Sequence, residues 1–237
     1  MPKYFAPTTD EISQMEREHM ETVRKFAAEC MVLLENDGTL PLTTKGNIAL
    51  YGNGARHTIK GGTGSGDVYS RAVINIEQGL EDAGFTITTK SWLDRYEKEL
   101  IQAKAEYREK LNEIAKETGT HPILVMFDNP FEEPAITAVT EEDISKSNTD
   151  TAIYVLSRNS GEGMDRYNKE GDYLLSEEEV KILTFLGKSY EKLIVLLNLG
   201  NVIDTSALKN IPGINAILFV GQAGNCTGYA VADAICG

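Results

Sequence analysis

The sequence predicts an α/β protein, a three-layer α/β/α sandwich around a mostly parallel sheet. Two observations predict it. Short apolar runs at 48–52, 152–156, 193–197 and 216–220 alternate along the chain with segments of helical periodicity. These runs stay apolar from residue to residue, so both faces of each strand need cover. Parallel sheets supply that environment. The chain also has the means to build a core: 41 % of its 237 residues are hydrophobic, which suits one large domain or two small ones.

The first element is a helical pattern over 10–34. Ile12, Met15, Met20, Val23, Phe26 and Ala27 recur at helical spacing, and Asp10 can cap the start. Asn36-Asp37-Gly38 turns the chain. Asn47 to Gly52 reads as a buried strand ending in a glycine loop. A second helical pattern covers 70–84 and closes at Gly84, and 85–89 reads as a short strand. A long helix rich in Lys and Glu follows over 91–117, with one face solvated. Pro122 to Phe127 reads as a strand, and 128–134 as a turn-prone stretch. Glu141-Glu142-Asp143 is a helix start favoured by the helix dipole.

The strand at 152–156 runs into the loop 157–171. Ser176-Glu177-Glu178-Glu179 is a capping box, opening a helix that reaches about Tyr190. A strand at 193–197 follows, then Asp204 as the cap of a short helix. A last strand at 216–220 and a helix at 225–235 complete the chain. No internal repeat or low-complexity linker divides it, so 1–237 reads as one domain, with residues 1–40 as a helical arm leading into it.

Charge and composition exclude several function classes. The net charge is −13 and Lys and Arg are scattered, which argues against nucleic-acid binding. No apolar run approaches the ~18 residues of a membrane span. The first residues lack the apolar core of a signal peptide, so a cytoplasmic protein is expected. Cys30, Cys226 and Cys236 show no C-x-x-C spacing and are odd in number, which supports neither a disulfide framework nor a zinc site. His19, His57 and His121 are dispersed. No metal and no cofactor is expected.

In a parallel sheet, ligands collect at loops beyond the carboxyl ends of the strands. Those loops here are 52–66, 157–171, 198–204 and 221–225. Gly61-Gly62-Thr63-Gly64-Ser65-Gly66 is not a phosphate loop, since G-x-x-x-x-G-K-[ST] is missing. His57 stands where a dinucleotide fingerprint would need its third glycine. Two readings remain: a flexible surface loop, or one whose backbone closely approaches a ligand or a neighbouring domain. In the loop 157–166, Glu162 lies between Gly161 and Gly163, with Arg158, Asp165 and Arg166 around it. A carboxyl presented with so little bulk suits acid/base chemistry, and an adjacent arginine can orient a substrate or hold the loop. The competing reading is a salt-bridged surface loop.

Several stretches together resemble the α/β-sandwich (C-terminal-type) domain of glycoside hydrolase family 3. They are Ala27 to Leu42, with its Glu35-Asn36-Asp37-Gly38 turn and Leu40-Pro41-Leu42 end; Ile48 to Gly52; and the glycine loop 61–66. To these add Ser157-Arg158-Asn159-Ser160-Gly161-Glu162-Gly163-Met164-Asp165-Arg166, Val195 to Asp204, and Gly221-Gln222-Ala223-Gly224. The resemblance covers nearly the whole chain and implies a flavodoxin-like sandwich. It implies retaining hydrolysis of terminal β-linked sugars such as β-glucosides, with no cofactor. Glu162 stands where the family places its acid/base in an S-G-E-G loop.

The family's nucleophile is an aspartate in a Ser-Asp-Trp-like segment of a (β/α)8 barrel. No Ser-Asp-Trp occurs here, and the chain is too short for both domains. The barrel is therefore expected as a partner outside this chain, and the chain alone is expected to be inactive. Met1 lies only about 26 residues before the family's first sandwich motif, which resembles members with reversed domain order. The substrate-binding candidates are Arg158, Ser160, Asp165 and Arg166, with Gly62, Gly64 and Ser65 of the glycine loop. The stretch 91–134 departs from the family pattern. The alternative is a non-catalytic small-ligand binding or structural module of flavodoxin-like architecture.

Overall fold

The computed structural model describes residues 9–64, 66–161 and 165–237. Among these residues six strands form one sheet: β1 (Val32–Asn36), β2 (Asn47–Tyr51), β3 (Thr86–Ile87), β4 (Thr151–Arg158), β5 (Lys192–Leu199) and β6 (Ile214–Phe219). Their order is β1-β6-β5-β4-β2-β3. All pairs are parallel except β1, which runs antiparallel to β6 at one edge. Without β1 this is the flavodoxin-like order, whose switch point lies between β2 and β4. The four strands expected from the apolar runs thus lie side by side. Every residue of β4 is buried, and every residue of β5 after Lys192, as a sheet covered on both faces demands.

Among the described residues seven helices accompany the sheet: α1 (Gln14–Glu29), α2 (Ile76–Asp82), α3 (Lys90–Thr118), α4 (Pro122–Asp128), α5 (Glu141–Ser147), α6 (Glu177–Ser189) and α7 (Thr227–Cys236). Helices α3 and α6 cover one face. There Tyr51 of β2 meets Trp92 edge-on at 5.3 Å, and its hydroxyl lies 2.8 Å from that of Tyr190. Burial holds the Tyr51 hydroxyl far above the usual phenol range, so it stays neutral.

On the other face α2 packs on α7, and α7 on α1. The α2–α7 contact is backbone to backbone: a Cβ on Gly79 would sit 2.1 Å from the Gly228 carbonyl. Gly79→Ala is therefore expected to destabilise by about 1–3 kcal/mol through overpacking, despite alanine's better helix propensity. Urea unfolding checks this; an unchanged midpoint would contradict it.

Four elements differ from the sequence reading. Helix α1 is capped by Ser13, not Asp10, because only Ser13 has a glutamate three residues on. The Glu16 carboxylate accepts from the Ser13 N–H at 2.8 Å while the Ser13 hydroxyl accepts from the Glu16 N–H at 3.2 Å. The helix ends at Glu29, and Val32-Leu33-Leu34 belongs to β1, where pairing with β6 overrides the helical pattern. The helix expected over 70–84 begins only at Ile76, where the Asn75 side chain caps the Gln78 N–H at 2.8 Å.

The expected strand at 122–127 is helix α4. Pro122 pre-sets the first turn, and the His121 ring accepts the Ile123 N–H at 3.3 Å. A six-residue apolar run has no periodicity to separate strand from helix. Asp204 caps no helix. Its carboxylate accepts the Ser206 N–H at 2.8 Å in a local turn, ahead of a short 3-10 turn at Leu208–Asn210.

The acidic start of α5 carries a pH signature. Arg95 of α3 grips Asp143 at 3.0 and 2.7 Å, and Thr140 adds capping bonds. Burial pushes the Asp143 carboxyl up, but the Arg95 and Thr140 donors outweigh it and hold it below the ordinary value. Because the folded-state pKa is depressed, the stabilisation is full above the unfolded carboxyl pKa of about 3.9 and fades as pH falls through the folded value. Asp143→Asn is expected to flatten the acid limb of stability against pH, measured by unfolding between about pH 2 and 6.

Candidate functional site

The loops beyond the carboxyl ends of β2, β4, β5 and β6 converge. After β2 the chain crosses directly over the backbone of β4. A Cβ on Gly52, whose φ is +98°, would sit 2.2 Å from the Val155 carbonyl oxygen, and one on Gly54 would sit 1.9 Å from the Ser157 Oγ. Only glycine allows that approach. Between them, the Asn53 side chain pairs with the Ser157 backbone. It accepts the Ser157 N–H at 2.9 Å and donates to the Ser157 carbonyl at 3.1 Å. The β2–β4 ladder is thereby continued by a side-chain amide.

Asn198, fully buried in β5, ties three of the loops together. Its Oδ1 accepts from the Ile59 N–H at 2.7 Å and the Ser157 hydroxyl at 3.0 Å. Its Nδ2 donates to the Ile59 carbonyl at 3.0 Å and the Gly221 carbonyl at 2.7 Å. Every donor and acceptor of this amide is used, as burial requires.

Above this hub the glycine loop meets the segment after β4. Thr63 and Gly161 form a parallel bridge, and the Thr63 N–H donates to the Ser160 carbonyl at 2.9 Å. Asn159 donates to the Thr63 hydroxyl at 2.6 Å and accepts from Gln222 at 3.3 Å. Gly62 faces the Ser160 carbonyl, and Gly200 faces the Ser160 hydroxyl; added Cβ atoms would lie at 2.9 and 2.1 Å.

The two arginines sit apart from this junction, each in an ion pair. Arg158 is buried against Glu179 of α6, with Nη2 2.6 Å from both carboxylate oxygens and Nη1 donating to the Ser157 carbonyl at 3.0 Å. Glu179 also accepts the Ser176 N–H at 2.8 Å, so one carboxylate caps α6 and neutralises the arginine. Arg166 donates to Asp172 at 2.9 Å, and the Tyr167 N–H reaches the same carboxylate at 2.8 Å. Burial raises the Asp172 carboxyl, but the Tyr167 N–H and Arg166 outweigh it, and the net shift is downward. The chain from Tyr167 to Leu174 then folds back on itself through backbone hydrogen bonds.

Of the site residues expected from the sequence, Gly62 and Ser160 come together. Gly64 and Asp165 are exposed, and Arg158 and Arg166 are paired as described. Glu162 and Ser65 lie outside the described residues. The sequence reading missed Asn53, Asn198, Gln222, Glu179 and Asp172. Asn198 alone left a signal: a single polar residue in the apolar run of Val195 to Leu199.

Comparison with known proteins identifies the family. Residues 31–237 match the family described as the glycosyl hydrolase family 3 C-terminal domain. Beta-glucosidase A of Butyrivibrio fibrisolvens is 30 % identical over 247 residues, covering 93 % of this chain and 27 % of that protein. A beta-glucosidase of Ruminococcus albus is 29 % identical, covering 93 % of this chain and 22 % of that protein. Beta-glucosidase 3B from Thermotoga neapolitana, solved in complex with alpha-D-glucose, superposes with a TM-score of 0.71 at 32 % identity, over 93 % of this chain and 29 % of that one. This chain thus spans about a quarter of the length of these relatives. It belongs to the glycosyl hydrolase family 3 C-terminal domain family.

Proposed function

We propose that this chain is the sandwich half of a retaining β-glycosidase acting on terminal β-linked sugars, β-glucosides foremost, and that Glu162 is its acid/base. One observation carries the reading. The glycine loop and the segment 157–161 are drawn together at the switch point of the sheet, immediately before Glu162. This is where an open α/β sheet takes its ligands. The names of the relatives supply the substrate class.

In the mechanism, protonated Glu162 gives its proton to the departing glycosidic oxygen. A carboxylate on a barrel domain outside this chain attacks the anomeric carbon. Glu162, now ionised, takes a proton from the water that releases the sugar. Gly62, Gly64, Ser160 and Asp165 line the cleft toward the barrel, and Ser65 is assigned to substrate binding with them. Arg158 and Arg166 act from behind it, holding the two ends of the loop through Glu179 and Asp172. No metal or organic cofactor takes part.

The purified 237-residue chain is expected to hydrolyse no aryl β-glucoside, and the full-length protein to do so. Turnover by the chain alone, above that of its Glu162→Ala variant, overturns the divided site. An inactive full-length protein that still binds a sugar favours a binding module instead.

A further inference from the structure

The mechanism gives no task to Lys60, the residue that leads into the glycine loop. Four of the six residues from Gly61 to Gly66 are glycine, which gives the segment wide conformational freedom. Yet its tip is closely placed. The Thr63 N–H meets the Ser160 carbonyl at 2.9 Å, and Thr63 bridges Gly161. A glycine-rich segment needs attachment at its neck to hold a tip there.

The near side of that neck is rigid. The buried Asn198 amide holds both the N–H and the carbonyl of Ile59, and the Lys60 carbonyl accepts the Gly224 N–H at 3.0 Å. The far side lacks such support, because Val68 and Tyr69 are exposed and pack on nothing. Lys60 joins the two sides. Its ammonium donates to the Val68 carbonyl and lies 3.3 Å from the Asp67 carboxylate. An ammonium carries three donors, so it can hold both acceptors at once. Among the described residues no other side chain spans the neck. The Lys60 side chain is 18 % exposed, against 69 % for Lys146 and 67 % for Lys181 in their surface pairs. Its stem is therefore packed, and little side-chain freedom is lost in forming the clamp.

Holding the far side also holds the tip. The Asp67 N–H donates to the Gly64 carbonyl at 3.1 Å, one residue from Thr63. The limbs touch across the loop, since a Cβ on Gly61 would sit 3.2 Å from the Gly66 carbonyl oxygen.

We propose that Lys60 is a positioning residue: by clamping the neck of the glycine loop it keeps Thr63 against Ser160 and Gly161, and through them aims Glu162, the next residue along. The proposal rests on the acid/base reading of Glu162.

The test compares leaving groups in the full-length protein. In Lys60→Met, kcat/KM for an alkyl β-glucoside should fall at least about tenfold further than for a dinitrophenyl β-glucoside, whose departure needs no acid; a misplacement of about 1 Å can cost ~10²-fold. The thermal midpoint should stay as in the parent, while the Thr63 amide exchanges its hydrogen faster. Lys60→Arg, which keeps a cation with several donors, should recover most of the loss. Should Lys60→Met unfold, Asp67→Ala replaces it, because that side chain is exposed; it is expected to act in the same direction, more weakly. An equal fall for both glucosides overturns the proposal, as does no fall, or a Thr63 amide as protected as in the parent. Glu162→Ala is the reference. If it shows the leaving-group dependence and Lys60→Met does not, the clamp alone is refuted. If Glu162→Ala shows none, the acid/base reading falls, and the link from Lys60 to catalysis falls with it.

Discussion

Glu162→Ala in the full-length enzyme is expected to lower kcat for an unactivated β-glucoside by about 10²–10⁴-fold, the usual contribution of a positioned acid/base. The loss should depend on the leaving group. An alkoxide needs its proton as the bond breaks, so glycosylation fails without the acid. A strongly acidic phenol needs none, so its glycoside should still react with the barrel nucleophile and stall as the covalent intermediate. A small anion such as azide attacks that intermediate without a general base and should restore turnover, giving the β-glycosyl azide. The basic limb of the kcat/KM profile, which reports loss of the acid's proton, should vanish in the variant. A variant that keeps full activity toward alkyl glucosides would remove Glu162 from the chemistry. The folding of the sandwich would stand untouched by that result.

The sheet was legible because its central strands are buried on both faces, so β4 and β5 appear as unbroken apolar runs that no amphipathic helix would show. The edges were harder. Val32 to Leu34 continues the apolar spacing of α1, and only pairing with β6 makes it a strand. Pro122 to Phe127 reads as a strand because an unbroken apolar run usually fills a sheet, whereas here Ile123, Leu124, Met126 and Phe127 are exposed and only Val125 is buried. At the site, the glycines announce close backbone approach, and Gly52, Gly54 and Gly62 do make it. What supports them was hidden. Glu179 has a complete local explanation as the third residue of a capping box, so nothing in its neighbourhood hints at Arg158, 21 residues earlier. Asp172 and Asn53 likewise acquire their roles only when a loop closes.

The pairing of Arg158 with Glu179 leads to the largest expected effect on stability. Both side chains are about nine-tenths buried, so removing one charge leaves the other without water and without a partner. Glu179→Gln keeps the volume and an acceptor for the Ser176 N–H, yet strands the guanidinium. It is expected to cost about 3–5 kcal/mol in urea unfolding. Glu179→Ala adds the loss of the cap, about 1 kcal/mol more. Replacing both partners by apolar residues of similar volume, Arg158→Met/Glu179→Leu, should recover most of the loss, because a buried ion pair seldom outperforms good apolar packing by much. That recovery separates a stranded charge from a damaged core. The same cycle reaches function. Arg158 ends β4 three residues before the Thr63–Gly161 bridge, so the apolar pair should fold well and still lower kcat in the full-length enzyme, its loop no longer held from α6. If Glu179→Gln costs under about 1 kcal/mol, the pair is too solvated to anchor anything, and the loop must take its position from the Asn198 hub and the Arg166–Asp172 pair.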